Sequence, residues 1–324
     1  MDKLFKLNYD EHPAYQHINI PWYEKAITRM NFFISGAISF FWLFGRKKYP
    51  LANNKDLDQE YLENEIRHFF CDGFMALKNV ELAQSLDLKL KDQINFCKKK
   101  LEDVPFSQRT FEDCVTGFGR KSYPLLFKEI EEEIFSVNLL AKIILGFFSG
   151  IKPILVHFNI HMNHEDDELV FKHSKDDLFE DEMNFFHVDT NLNTIKIMIY
   201  LTDVRGPEHG AFEYVRGTQK LYGFKNFLKR RVIRKMGAFR RDDIGKRKLL
   251  ALKSQYRMKN EFSDFSSKSP LGVMINERKK SVHDGSNLII FDPLGIHRGG
   301  RVKKGKRLAL QLVFCNNHSS WRIR

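Results

Sequence analysis

The chain has 324 residues, 43% of them hydrophobic and 13% aromatic, a composition that excludes an intrinsically disordered protein and suffices for one large domain or two modest ones. Its four cysteines have no paired metal-binding spacing and are too few for a disulfide scaffold, which indicates reduced thiols and a cytoplasmic protein. The net charge of +12 favours polyanionic partners: phosphorylated metabolites, nucleic acid or an anionic membrane surface.

Residues 1–55 are predicted to form an N-terminal extension without the pattern of a secretory signal. Its apolar segment, residues 30–45, is shorter than the roughly 20 residues that a membrane-spanning helix needs. One interpretation is a helix buried in the protein or in an oligomer contact. The other is an interfacial helix whose Trp42 and phenylalanines enter lipid while the basic residues 46–48 meet anionic headgroups, which would place the protein peripherally at a membrane.

Residues 56–324 are predicted to form one domain in which helices come first and strands follow. Apolar residues at helical spacing predict helices at 57–70, 81–102 and 124–149, with a short strand around 74–80. After residue 150 the apolar runs are typical of strands and are separated by Gly, Pro and Asp turns; they are 153–163, 194–204, 210–218, 287–293 and 307–317. This order favours an α+β fold whose functional half is an antiparallel sandwich or barrel.

The strand signals stop between about residues 222 and 281, in a range dense in Lys and Arg with apolar residues at roughly helical intervals. A segment this long is rarely plain loop, so the sequence predicts a basic helical insertion or lid. Its charge fits either a solvated helix face or an electropositive flap over an anionic substrate.

His187 and Asp189 stand two residues apart in "FFHVDTN", where an acidic run gives way to alternating apolar residues. Side chains at i and i+2 of a strand share a face, so this pair offers a nitrogen and an oxygen ligand to one metal ion. His297, after a late apolar strand, completes a set of two histidines and one carboxylate that binds Fe(II) and leaves positions open for a chelating cosubstrate and dioxygen. His164 and Asp166 have the same spacing, but their polar run is typical of a solvated loop.

Arg307 opens the last apolar run of the chain. A guanidinium that faces the same cavity would hold a carboxylate through two parallel hydrogen bonds, which Lys cannot reproduce. Arg301, in the preceding basic turn, is the alternative residue for this role.

Together these motifs resemble the phytanoyl-CoA dioxygenase-like family of Fe(II)- and 2-oxoglutarate-dependent oxygenases. The resemblance runs from about residue 57 to 315, interrupted by the basic insertion, and is carried by "FCDGFMALKNV" (70–80), "HVD" (187–189), "HGAFEYVRGTQK" (209–220) and a late H-x-G…R pattern at His297, Gly299 and Arg307. The chain departs from the family in the hairpin, where Arg216 replaces the usual Pro and Thr218–Gln219 replaces Ser-His.

The resemblance implies a double-stranded β-helix (jelly-roll, cupin-like) core with flanking N-terminal helices. It implies Fe(II) bound by His187, Asp189 and His297, 2-oxoglutarate held by Arg307, and dioxygen as oxidant. The expected reaction is hydroxylation of an unactivated C–H in a small or lipid-linked, anionic substrate, with 2-oxoglutarate converted to succinate.

Asn159 and His161 alternate along one predicted strand and therefore share a face. They are candidates for contacting the cosubstrate or supporting a metal ligand; ordinary polar strand residues are the other interpretation. Two further functions stay open. An oxygenase directed at nucleic acid is disfavoured because the insertion has no Gly-aromatic stacking motif, and a non-catalytic protein that binds polyanions or membrane surfaces would leave the metal site vestigial.

Overall fold

The computed structural model describes residues 57–105, 111–148, 150–165, 194–219, 278–283, 285–300 and 302–315, together with Asp189 and several positions between 21 and 34. Several sequence-based predictions lie outside the described residues; they concern His187, Asp166, Arg301, most of the apolar segment 30–45, and residues 222–277 of the basic insertion.

The predicted helices are present, but two of them are each divided in two. The described helices are α1 Leu57–Asp72, α2 Val80–Lys89, α3 Lys91–Glu102, α4 Phe111–Cys114, α5 Pro124–Ser136 and α6 Asn138–Phe147. Val137 adopts an extended backbone, with φ −82° and ψ 103°, and this ends α5 before α6 begins. Leu90, fully buried with φ −97° and ψ 9°, similarly separates α2 from α3. Apolar periodicity continues across both breaks, which is why the sequence predicted single helices.

The strands form two antiparallel sheets. They are β1 Phe74–Leu77, β2 Val115–Gly119, β3 Ile154–His164, β4 Thr194–Tyr200, β5 Phe212–Val215, β6 Lys279–Val282, β7 Leu288–Phe291, β8 His297–Arg298 and β9 Lys306–Cys315. The larger sheet has the order β1-β7-β4-β9-β3-β2 and the smaller one β6-β5-β8. This arrangement confirms the predicted mixture of helices with antiparallel sheets.

Two strands differ from the sequence-based expectation. The sequence did not predict β2, whose "VTGFG" contains two glycines; it forms because the edge of β3 supplies its partners from Val115↔His161 to Gly119↔His157. The strand β6 pairs with β5 and includes residues 279–281, which the sequence analysis had assigned to the insertion.

The two faces of the larger sheet have different partners. One face packs on the helices in a core that includes Ile197 and Leu310 from the sheet and Ile130 from α5. The other, here called the interior face, packs on the smaller sheet, and Met198, Tyr200, Ile289, Phe291 and Ala309 belong to this second core. Polar side chains of the interior face therefore lie between the sheets.

None of the helices in the described part of the chain combines the length and apolar character needed to cross a membrane.

Candidate functional site

His297 lies at the start of β8 and is held in an aromatic pocket. Its ring centroid is 5.0 Å from that of Phe291 and 6.3 Å from that of Tyr214, and the residue is only 4% exposed. Nδ1 donates a hydrogen bond of 2.8 Å to the carbonyl of Gly295. Since Nδ1 carries the proton, Nε2 of the neutral ring presents its lone pair, which is how a metal-binding histidine is usually fixed.

 
Asp189 lies beside His297, although His297 comes 108 residues later in the chain, and both residues are buried. Asp189 Oδ2 is 3.9 Å from His297 Nε2, and Asp189 is 7% exposed. The backbone N–H of Asp189 donates a 2.8 Å hydrogen bond to the carbonyl of Pro293. Neighbouring ligand atoms that each lie about 2.1 Å from one octahedral ion are about 3.0 Å apart, so a shared ion requires these two atoms to approach each other by roughly 1 Å.

The turn between β7 and β8 positions both residues. The Asp292 side chain accepts a hydrogen bond of 3.0 Å from the backbone N–H of Leu294, and its carbonyl accepts one of 3.0 Å from Gly295. A Cβ atom at Gly295 would lie 1.7 Å from the Tyr214 hydroxyl oxygen, so only glycine fits there. The sequence "FDPLGIH" thus builds a rigid turn that supports Asp189 from Pro293 and His297 from Gly295.

The hairpin residues that depart from the family pattern have structural contacts. The buried Thr218 hydroxyl accepts a 2.8 Å hydrogen bond from the N–H of Ile296, next to His297. The Gln219 amide donates to two carbonyls at the end of α1, and Arg216 lies 3.7 Å from the carboxylate of Asp72. The contacts of these residues connect the end of β5 to α1 and to the turn between β7 and β8.

Lys196 is a site residue that the sequence analysis missed. Its Nζ lies 2.5 Å from Asp189 Oδ2, and its side chain is only 15% exposed. It alternates with Met198 on β4 and therefore points to the interior face. A lysine in the middle of the apolar run "TIKIMIY" was the available signal, since buried lysines are rare unless paired.

Asp189 and His297 have the chemistry of metal ligands. Both facing atoms are buried acceptors, and in this structure the cation that a buried carboxylate requires is the ammonium of Lys196. The donor set of one carboxylate and one fixed imidazole therefore fits the Fe(II) that the sequence predicts. His187 lies outside the described residues, and within the described part of the chain no group of three His, Cys, Asp or Glu side chains is arranged to hold a metal.

Arg307 is buried at the start of β9 on the interior face, opposite Asn163 of β3. Its Nη1 donates to the carbonyls of Gly210 and, at 3.0 Å, Gly300, and its Nη2 donates to Asn163 Oδ1 at 3.0 Å. The guanidinium is thus held in one orientation between the sheets. Asn163, which the sequence analysis did not single out, is the asparagine of β3 that contacts it.

Asn159 belongs to a polar row further along the same face. Its Nδ2 donates to Gln311 Oε1 at 3.1 Å, and its Oδ1 accepts from His157 Nε2 at 2.6 Å. The cross-strand pairs Asn159↔Gln311 and Asn163↔Arg307 place this row on the interior face together with Arg307.

His161 lies between these two groups, opposite Ala309 of β9. Burial, with smaller contributions from the positive charges of Arg307 and Lys196, lowers the pKa of His161 to about 3. Burial likewise raises the pKa of Tyr200 to about 12, and the Tyr200 hydroxyl accepts a 2.7 Å hydrogen bond from the N–H of Phe212. Both side chains are therefore neutral in the folded protein at ordinary pH.

The sequence-based prediction that His164 lies in a loop is wrong. The strand β3 extends to this residue and pairs it with Lys306. His164 lines a cavity of about 440 Å³ with Leu101 of α3 and with Met162 and Leu308 of the sheet. Alternation along β3 turns it away from the interior face, which separates it from Asp189 and His297.

No protein-family model matches the chain, and no curated protein matches it. Among solved structures, the non-heme alpha-ketoglutarate-dependent carbocyclase SnoK from nogalamycin biosynthesis is 14% identical, with 82% of this chain and 86% of that chain covered and a TM-score of 0.43. HygX from Streptomyces hygroscopicus, with nickel and 2-oxoglutarate bound, is 12% identical over 79% of this chain and 87% of its own, with a TM-score of 0.41.

EctD from S. alaskensis, with 2-oxoglutarate and 5-hydroxyectoine, is 11% identical over 83% of this chain and 81% of its own, with a TM-score of 0.47. Similarity this low assigns neither a family nor an activity, so the function follows from the side chains of this chain.

Proposed function

We propose that the protein is an Fe(II)- and 2-oxoglutarate-dependent dioxygenase of the phytanoyl-CoA dioxygenase-like kind, with a double-stranded β-helix core. It hydroxylates an unactivated C–H bond of a small or lipid-linked, anionic substrate. One oxygen atom of dioxygen enters the substrate and the other enters succinate, while 2-oxoglutarate loses carbon dioxide.

The relation between Asp189 and His297 carries this proposal. Their facing atoms lie 3.9 Å apart in a buried pocket, and the backbone of one rigid turn supports both residues. A site whose ligands are held close together before the metal arrives binds it with a reduced ordering cost. His187, two residues before Asp189, is the proposed third ligand.

When bound, Fe(II) with 2-oxoglutarate and dioxygen supplies the oxidising chemistry. Asp189 and His297 would bind and orient the metal, and Nδ1 of His297 donates a hydrogen bond to the Gly295 carbonyl so that Nε2 stays available. The rings of Phe291, Phe212 and Tyr214 surround His297 and exclude water from this side of the site.

Arg307 is the proposed anchor for a carboxylate of 2-oxoglutarate, because it lies on the same interior face and its orientation is fixed by three acceptors. Asn159, with its partner Gln311, is the proposed polar contact along that face. The buried cations Lys196 and Arg307, together with the net charge of +12, support an anionic substrate.

Purified protein supplied with Fe(II), 2-oxoglutarate and dioxygen tests the proposal through metal content, 2-oxoglutarate binding and succinate release. We expect the wild type to bind both and to release succinate, and Asp189→Ala to bind less metal and release none. His164→Ala is the matched control, since this histidine lies on the same sheet but on the face opposite to the interior face. A wild-type protein that binds neither ligand, yet is retained by oligonucleotides or anionic vesicles, would support a non-catalytic polyanion-binding protein instead.

A further inference from the structure

His161 has a buried ring nitrogen whose place in the site is not explained by the contacts within the fold. The residue is 6% exposed, and its Nε2 has no hydrogen-bond partner among the described residues. A buried polar atom without a partner costs folding free energy, so native proteins seldom keep one unless a water molecule or a ligand completes it. This nitrogen therefore marks a place that a water molecule or a ligand atom would fill.

The surroundings of His161 select the charge of that ligand. Arg307 and Lys196 are the two positive groups whose fields act most strongly on the ring, and both reach the interior face from neighbouring strands. Lys196 forms an ion pair with Asp189, and Arg307 has the larger effect on the His161 ring. An anion would be attracted, and a neutral imidazole can donate the hydrogen bond from Nε2 that a carboxylate oxygen accepts.

The residue next to His161 on the neighbouring strand has a small side chain. Ala309 of β9 pairs with His161 on one side and with Tyr200 on the other. A methyl group therefore lies between two ring side chains on the sheet. Arg307 lies two residues before Ala309 on the same face of β9. Arg307, Ala309 and His161 are thus neighbours on the interior face, and this group of residues is here called the carboxylate subsite.

We infer that His161 donates a hydrogen bond from Nε2 to a carboxylate bound in this subsite. Arg307 supplies the positive charge that attracts the carboxylate, and the hydrogen bond from His161 orients it. The carboxylate belongs either to 2-oxoglutarate or to the substrate, and the first assignment rests on the proposed function. His161 is then a ligand-contacting residue and leaves metal binding to Asp189 and His297.

His161→Phe tests the inference because it keeps a ring of similar size and removes the donor. Isothermal titration measures the binding of 2-oxoglutarate and succinate to the metal-free protein, and of 2-oxoglutarate to the Fe(II)-loaded protein under anaerobic conditions. We expect the Kd of both dicarboxylates to rise about tenfold or more, as for the loss of one hydrogen bond to a charged group, with the Fe(II) Kd unchanged. His161→Gln retains an amide donor and should recover part of the affinity.

The control is His164→Phe, on the opposite face of the same strand, which should bind like the wild type. Hexanoate, titrated into protein saturated with 2-oxoglutarate, distinguishes the two sources. If His161→Phe weakens hexanoate alone, the carboxylate is the substrate's, and if it weakens 2-oxoglutarate, the carboxylate is the cosubstrate's. If the Phe variant does not fold, the affinities of His161→Gln for the same ligands distinguish the two sources in the same way.

Unchanged affinities for 2-oxoglutarate, succinate and hexanoate in the His161 variants would overturn the inference, and so would a change confined to the Fe(II) Kd. The proposed function fails separately. A wild type that binds succinate through His161 but neither binds Fe(II) nor releases succinate from 2-oxoglutarate would keep the subsite and remove the dioxygenase.

Discussion

The ammonium of Lys196 lies 2.5 Å from Asp189 Oδ2, the same oxygen that faces His297 at 3.9 Å. In the metal-free protein this ammonium supplies the positive charge that a buried carboxylate requires. A metal ion at Asp189 would supply that charge itself and would repel the ammonium. Lys196 and the metal therefore compete for one carboxylate oxygen.

Replacing Lys196 with Met should make the metal-free protein less stable and its metal affinity higher. Breaking a buried ion pair by removing one partner costs about 3–5 kcal/mol, and metal binding would recover part of that penalty. We expect Fe(II) to bind about tenfold more tightly, a gain of about 1.4 kcal/mol, in competition with a chelator. Weaker Fe(II) binding by the variant would show that Lys196 instead orients Asp189 for the metal.

His297→Ala should remove one of the two described metal ligands. Because Nε2 faces Asp189 in a pocket of fixed aromatic rings, neither water nor a neighbouring side chain replaces it at the same geometry. We expect the Fe(II) Kd to rise on the order of 100-fold and succinate release to stop. Normal metal content and turnover in this variant would contradict the assignment of His297 as a ligand.

Arg307→Lys should weaken 2-oxoglutarate binding about tenfold or more, a loss of about 1.4 kcal/mol, because an ammonium lacks the paired donors of a guanidinium. The variant should also lose roughly 1–3 kcal/mol of stability, since the carbonyls of Gly210 and Gly300 and the amide of Asn163 lose a shared donor. Titration with 2-oxoglutarate and urea unfolding separate the two effects. A larger effect on 2-oxoglutarate from Arg301→Lys would transfer the role to Arg301.

His161 should make the folded protein sensitive to acid. The pKa of His161 is about 3 in the folded state, below the value of about 6.5 expected for an unfolded chain, so the unfolded state takes up the proton first. The contribution of His161 to stability is fully present above pH 6.5 and is lost as the pH falls towards 3, by up to about 1.4 kcal/mol per pH unit. Urea unfolding between pH 7 and 4 should show a shallower decline for His161→Gln than for the wild type, and equal slopes would contradict the pKa shift.

The sequence proposes peripheral binding to an anionic membrane through residues 30–45, most of which lie outside the described residues, and the described N-terminal positions add an apolar stripe that begins before this segment. Tyr23, Ile27, Met30 and Ile34 are helical, three or four residues apart, and each is 47% or more exposed. We expect the protein to sediment with anionic vesicles more than with neutral ones, less so at high salt, and Ile27→Asp to reduce this binding. Leu88→Asp, at a 75% exposed position on α2, is the control, and equal, negligible sedimentation with both vesicles at low salt would contradict the proposal.

The fold was predictable where local patterns decide it. Apolar periodicity located α1 and the strands β3, β4, β5, β7 and β9 within a few residues. The periodicity did not show the breaks at Leu90 and Val137, because buried apolar residues continue across both of them. It also missed β2, whose glycine-containing segment becomes a strand through pairing with β3.

For the site, the sequence alone determined which residue types are present and which of them share a strand face, because side chains alternate along a strand whatever surrounds it. Alternation grouped Asp189 with His187 and Asn159 with His161, and the order of motifs along the chain added His297 and Arg307 as candidates. The tertiary structure decided which of these residues meet. Lys196 contacts Asp189, and Asn163 rather than Asn159 contacts Arg307, because cross-strand register and the packing of one sheet on the other set the distances between residues far apart in the chain.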